Sequence, residues 1–159
     1  MNRLTRRLAP LALAFALPFA ADLVGAETAA VAGLRRDALT IVTAHGPVRF
    51  KVEVAQTAAQ QERGLMFRDA VAPDAGMIFP FVPPQPAAFW MKNTRIPLDL
   101  LFIRADGTVS SIAAMAKPYS LDLIPSSEPV AAVLEIAGGR AAAVGIAPGN
   151  RVRWGPLGH

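Results

Sequence analysis

Five residues in one short stretch could do chemistry: Trp90, Lys92, Asn93, Thr94 and Asp99, inside the run FWMKNTRIPLDLLFI that is otherwise aromatic and aliphatic. An aromatic face beside a charged pair and fixed amides is the make-up of a small-molecule or saccharide site. The same residues can instead form a satisfied turn. Asn93 and Thr94 are able to bond their own backbone, and an aspartate between Leu98 and Leu100 is tolerable in a strand only if neighbours donate to it. With Ala88 to Met91 and Pro97 to Ile103 read as two antiparallel strands about the link Asn93 to Ile96, Trp90 would face Asp99, with Lys92 as its diagonal neighbour.

Other carboxylates extend the chemical possibilities. Glu62 falls in the last turn of a short helical stretch and Glu135 interrupts the apolar run VAAVLEIAGG. Either could pair with Asp99 as acid and base on a glycosidic or similar bond, provided the two groups stand about 5–9.5 Å apart across a cleft. Four methionines (Met66, Met77, Met91, Met115) beside Trp90 raise the alternative of a thioether site for Cu(I), against the simpler reading of methionine as a filler of core gaps. The chain has no cysteine and two histidines, His45 in a turn and His159 at the end. A thiolate or disulfide therefore has no basis, a histidine metal site has little support, and no cofactor is expected.

These residues sit in a chain of 159, with 53% hydrophobic and 18% charged residues and a net charge of +4. That is enough for one core. Part of the apolar content is concentrated at the front. Residues 1–26 carry Arg3, Arg6 and Arg7, then an uncharged stretch from Leu8 to Ala20, then small residues up to Ala26. This is the pattern of a secretory signal peptide, and it is too short for the ~20 residues of a membrane span. Cleavage there, rather than retention as an anchor, would halve the net charge and place the protein in the periplasm or outside the cell. Ala9 stands where a twin-arginine signal usually has phenylalanine, which favours the general secretory route. No basic cluster interleaved with aromatics remains, so a nucleic-acid partner is not expected. An envelope glycan or envelope protein is, with Arg68, Arg95 and Arg104 as candidate protein contacts.

The elements that must position the site are mostly strands. ALTIVTAHGPVRFKVEVA reads as a hairpin whose second strand alternates Val48, Phe50, Val52 and Val54 against Arg49, Lys51 and Glu53. Thr57 with Gln60 forms a capping box for a short helix that Gly64 ends. GMIFPF is a strand that Pro80 confines to an edge, an end or a bulge. Asp106-Gly107 marks a second hairpin, GRAAAVGI one or two helical turns, and GNRVRW a last strand. Hairpins at this spacing, without a long crossover helix, predict a mainly β chain: one antiparallel β-sandwich or barrel with one or two short helices, over residues 38–157, after a linker at 27–37.

ERGLMFR, GMIFPF, FWMKNTRIPLDLLFI, DGTV, AKPYS, VLEIAGG and GIAPGNRV, in that order and spacing, resemble the family called domain of unknown function 192, also called uncharacterised protein family 0127. The resemblance runs from about Leu39 to Trp154. It implies a small β-rich, jelly-roll-like domain, often exported or membrane-attached, with no established reaction. It directs attention to Glu62, Arg63, Gly64, Met66, Arg68, Trp90, Met91, Lys92, Asn93, Thr94 and Asp99. Of these, Glu62, Arg63, Arg68, Trp90, Lys92, Asn93, Thr94 and Asp99 are the ligand-binding candidates. Asn150 stands where the family often has aspartate.

Overall fold

A computed structural model of the chain describes residues 33–157. The expected signal peptide, and residues 27–32 of the expected linker, lie outside the described residues. The described residues are mainly β, with 47% strand and 10% helix. In chain order the elements are β1 (Arg35–Thr43), β2 (Gly46–Val54), α1 (Ala58–Arg63), β3 (Ala75–Gln85), β4 (Ala88–Phe89) and β5 (Leu98–Ile103). There follow β6 (Val109–Ala116), β7 (Ile124–Pro125), β8 (Val130–Ala137), α2 (Arg140–Ala143), β9 (Arg151–Arg153) and a closing 3-10 turn (Gly155–Leu157). Strand β1 begins at Arg35 and so reaches into the stretch read as linker.

Seven strands form one sheet in the order β6-β5-β8-β3-β2-β1-β9, and β4 pairs with β7 in a separate two-stranded ribbon. The turn signals act locally as the sequence suggests. β1 and β2 form the expected hairpin, with Thr43 facing Gly46. At the β5–β6 turn Gly107 takes φ 80°, and Asp106 accepts from both the backbone N–H and the hydroxyl of Thr108, as an aspartate-glycine turn should. Thr57 and Gln60 close their reciprocal capping box on α1. Pro80 sits where the β3–β8 register shifts, the bulge position that suits a residue without an N–H.

All pairings are antiparallel except β2 with β3, which are parallel because α1 and its flanking loops carry the chain back to the starting end between them. At one end the outermost strands meet. Thr108 bridges Arg151, Val109 N–H donates to the Asn150 carbonyl at 2.9 Å, and Val152 N–H donates to the Gly107 carbonyl at 2.8 Å. The sheet thus curls into a half-barrel.

The curl separates two apolar clusters, sorted by the two-residue period of the strands. Leu39, Ile41, Val52, Ile78, Leu101, Ile103, Leu134 and Ile136 fill its interior. Met77, Phe79, Leu98, Leu100, Phe102 and Val133, from β3, β5 and β8, face the other way and are covered by Leu65 and Met91 from the loops. Every residue of β5 is buried, which makes it a central strand with β6 on one side and β8 on the other.

That position corrects the expected hairpin between residues 88–91 and 97–103. Strand β5 has its two edges occupied by longer partners, and β4 pairs instead with β7, Ala88 opposite Pro125 and Phe89 opposite Ile124. Trp90 and Asp99 are therefore not cross-strand neighbours; Asp99 lies opposite Ile136.

Candidate functional site

Along β8, Val133 and Glu135 point to the outer cluster while Leu134 and Ile136 point into the half-barrel. Glu135 sits between Met77 of β3 and Leu100 of β5. It is thereby held on the floor of a cleft of about 360 Å³. The walls are Phe79, Phe81, Phe89, Trp90, Leu65 and Met66, and α1 contributes Gln61, Glu62 and Arg63 to the rim. Phe79 and Phe89 meet edge to face at 5.1 Å, the arrangement aromatic quadrupoles favour.

Glu135 is 5% exposed. No hydrogen bond or ion pair from a described residue reaches its carboxyl. Burial pushes its pKa up from 4.5 to about 8, with the nearby Arg68 guanidinium opposing the shift, so at neutral pH the group is mostly a neutral acid. The rim is charged and solvated by contrast. Glu62 is exposed, and the Arg63 guanidinium lies 5.2 Å from the centre of the Phe67 ring. Lys92 Nζ stands 5.1 Å over the Trp90 ring, which is 43% exposed.

Three loops are stitched together at the mouth. Phe67 N–H donates to the Asn93 carbonyl at 2.9 Å, Met91 N–H to Ser120 at 3.0 Å, and Tyr119 N–H to Thr94 at 3.2 Å. Each loop contains a non-glycine residue in the left-handed region: Phe67 at φ 64°, Asn93 at 56° and Tyr119 at 62°. Asparagine adopts that conformation readily, whereas aromatic residues do so at a cost. Asn93 also points its amide at Met66 Sδ, 3.8 Å away. Thr94 is buried, its hydroxyl donating to the Lys92 carbonyl at 3.3 Å. The polar island is thus a turn, and it also builds the cleft wall.

Of the ligand-binding candidates, Glu62, Arg63, Trp90 and Thr94 line this cleft, and Lys92 and Asn93 brace it from beside. Arg68 belongs to an adjoining cleft of about 330 Å³, where it pairs with Glu53. Arg95 bonds Asp69 at 2.7 Å and Arg104 bonds Glu128 at 2.9 Å, so all three candidate protein contacts, Arg68 included, already have partners.

Asp99 is elsewhere. It shares the interior face of β5 with Leu101 and Ile103, the face opposite Glu135. Its Oδ1 accepts from Met115 N–H at 2.8 Å and Gly139 N–H at 2.9 Å, and its Oδ2 accepts from Ala141 N–H at 2.8 Å. Helix α2 has no side-chain cap of its own, and Asp99 supplies one from across the fold. The fully buried carboxylate is satisfied by three backbone donors, not by Trp90 and Lys92 as expected, and it does not line the cleft.

The methionines occupy dissimilar places. Met77 and Met91 are sealed in the outer cluster, Met66 lines the cleft, and Met115 is exposed. Among the described residues no cluster of His, Asp or Glu could hold a metal ion. Asn150 accepts from Ala147 N–H at 2.9 Å, a turn-closing bond that an aspartate would also make. The aromatic wall of Phe79, Phe81 and Phe89 has no counterpart among the site residues expected from the sequence. Glu135 is expected from the sequence only as an acid/base partner of Asp99; it lines the cleft with Glu62, while Asp99 is held by backbone donors elsewhere.

A small curled β-domain with one aromatic cleft and a buried acid at its floor is the class of protein these features define. The chain belongs to the DUF192 family, described as uncharacterized ACR, whose model matches residues 40–154. Two solved structures share its fold. One is a protein of unknown function from Novosphingobium aromaticivorans, 47% identical, with a TM-score of 0.76 over 78% of this chain and 89% of that one. The other, from Sinorhizobium meliloti, is described as a candidate transcription regulator; it is 42% identical, with a TM-score of 0.75 over 77% of this chain and 96% of that one. No curated protein matches the chain.

Proposed function

We propose that the protein is an exported module that binds a small organic component of the cell envelope, a saccharide among them, in the Glu135 cleft. The ligand would lay a ring or other apolar body against Trp90 and Phe89 and set a polar group on Glu135. The observation that carries this reading is a carboxyl with no partner among the described residues, almost sealed from solvent, at the end of an aromatic cleft: a group that costs stability alone and gains a partner when the cleft fills. The cleft volume is within the range of small-molecule sites. Export rests on the leader-like pattern of residues 1–26. Among the described residues no helix is long and apolar enough to cross a membrane.

The test is a melting-temperature screen against envelope glycans, amino compounds, nucleotides and metal ions including Cu(I). Any ligand that prefers the folded state must raise the midpoint, by about 2.7 kcal/mol of stability at a hundredfold excess over Kd. We expect a shift that is lost in Trp90→Ala and Glu135→Gln. Absence of any shift across the panel would defeat the binding reading.

A hydrolytic reading has one observation in its favour: Glu62 and Glu135 line the same cleft, one solvated and one sealed. This pattern separates a base from an acid. Asp99, engaged by its three backbone donors, has no part in it. Turnover of aryl glycosides that is abolished in both Glu62→Gln and Glu135→Gln would establish it.

A further inference from the structure

The geometry points to an organic ammonium group as the part of the ligand that Glu135 receives, the remainder of the molecule being an apolar or ring-shaped body held by Trp90, Phe89 and Phe81. This rests on the reading of the cleft as a binding site and names the chemistry of its occupant.

Two features of the cleft converge on a cation. The first is the carboxyl itself. A floor meant to bond a neutral hydroxyl or amide would be served by glutamine, which carries no ionisable group whose burial weakens the fold. A carboxyl that is 5% exposed and has no partner among the described residues resists ionisation, and a cationic partner is what offsets the desolvation of its charged form. The second is the wall. Aromatic faces attract cations through the ring quadrupole, and more strongly where water is excluded. Trp90 already demonstrates this capacity, holding Lys92 Nζ at 5.1 Å; Lys92 is not among the cleft-lining residues, so its contact leaves the cleft itself unfilled.

The charges around Glu135 are compatible with this occupant. From α1, Glu62 and Arg63 face the cleft, and Glu62 adds a second carboxylate at its rim. Arg63 is drawn over the Phe67 ring at 5.2 Å. Arg68 reaches Glu135 only as a field from the adjoining cleft, where Glu53 pairs with it. From β5 the nearest ionisable group, Asp99, faces the opposite side of the sheet and is bonded there. From β3 the neighbour is Met77.

Binding would convert the neutral carboxyl and the free ammonium ion into a carboxylate–ammonium pair, releasing one proton to solvent. Affinity for the cation therefore rises with pH as Glu135 ionises, while affinity for a neutral isostere does not. An alkylamine stays protonated well above this range, so the change reports the protein.

The experiment titrates the full chain with cyclohexylamine and, separately, cyclohexanol at pH 6.5 and 8.5, following the Trp90 indole resonance. We expect the amine Kd to fall by up to roughly 20-fold between the two pH values, in line with ionisation of a group near 8. Cyclohexanol should bind more weakly and without pH dependence, and Glu135→Gln should remove the amine's pH dependence. Equal binding of cyclohexanol and amine at pH 8.5, or amine binding unchanged in Glu135→Gln, overturns the ammonium assignment while leaving the cleft a binding site. Silence from both probes overturns it too. If the thermal screen is also blank, the binding reading falls with it.

Discussion

Glu135 and Asp99 are both buried carboxyls, and their surroundings give them opposite roles. Asp99 accepts three backbone N–H bonds and holds β5, β6 and α2 together. Asp99→Ala would leave those donors without an acceptor, and we expect a loss of about 3–5 kcal/mol in urea unfolding, with ligand-induced shifts at the cleft retained in the folded protein. Loss of binding without loss of stability would contradict that assignment. Glu135 has no such partners, and its pKa rises from 4.5 to about 8. The folded state then binds more protons than the unfolded chain between those values, so its contribution to stability is full below about pH 4.5 and is lost as pH rises through 8. Glu135→Gln removes that dependence. The variant should gain on the wild type with rising pH, by about 3 kcal/mol at pH 7, and parallel stability-versus-pH curves would refute the burial account. A lone glutamate in VLEIAGG marks an unusual position in the sequence, but whether it is bonded, exposed or stranded depends on what β3 and β5 bring beside it.

The elements whose ends are made by adjacent residues were legible, and those made by distant partners were not. The capping box of Thr57 and Gln60, the Asp106-Gly107 turn and the β1–β2 hairpin follow from side chains a few residues apart. The hairpin expected around Asn93 failed because β5 takes β6 and β8 as neighbours and leaves β4 to β7. The closeness of β3 to β8 is likewise a property of the pair. A Cβ added at Gly76 would lie 2.5 Å from the Glu135 carbonyl oxygen and 3.0 Å from Ile136 Cγ2, closer than packed atoms come. Gly76→Ala should therefore force β3 and β8 apart and cost about 2 kcal/mol or more in the same unfolding measurement, while weakening binding at the cleft because Glu135 moves with its strand. A variant with wild-type stability and wild-type ligand shift would show that the strands yield without cost.

At the scale of the molecule, the half-barrel places Asp99 and Glu135, the two buried acids among the described residues, on opposite faces of one sheet, and this separates the structural role from the functional candidate. Composition, alternation and turn chemistry were sufficient for a mainly β domain with two short helices, because strand period and turn bonds are set by near neighbours along the chain. They also drew attention to Trp90, Lys92, Asn93 and Thr94. Only the tertiary structure decided that Trp90 belongs with Glu135 and not with Asp99, that β2 and β3 run parallel, and that Phe79, Phe81 and Phe89 close a cleft. Those facts depend on which strands share an edge and which face each presents, and pairing across tens of residues leaves no local trace. The protonation of Glu135 is decided in the same way, since a carboxyl's pKa is fixed by the burial and charges that the assembled fold puts around it.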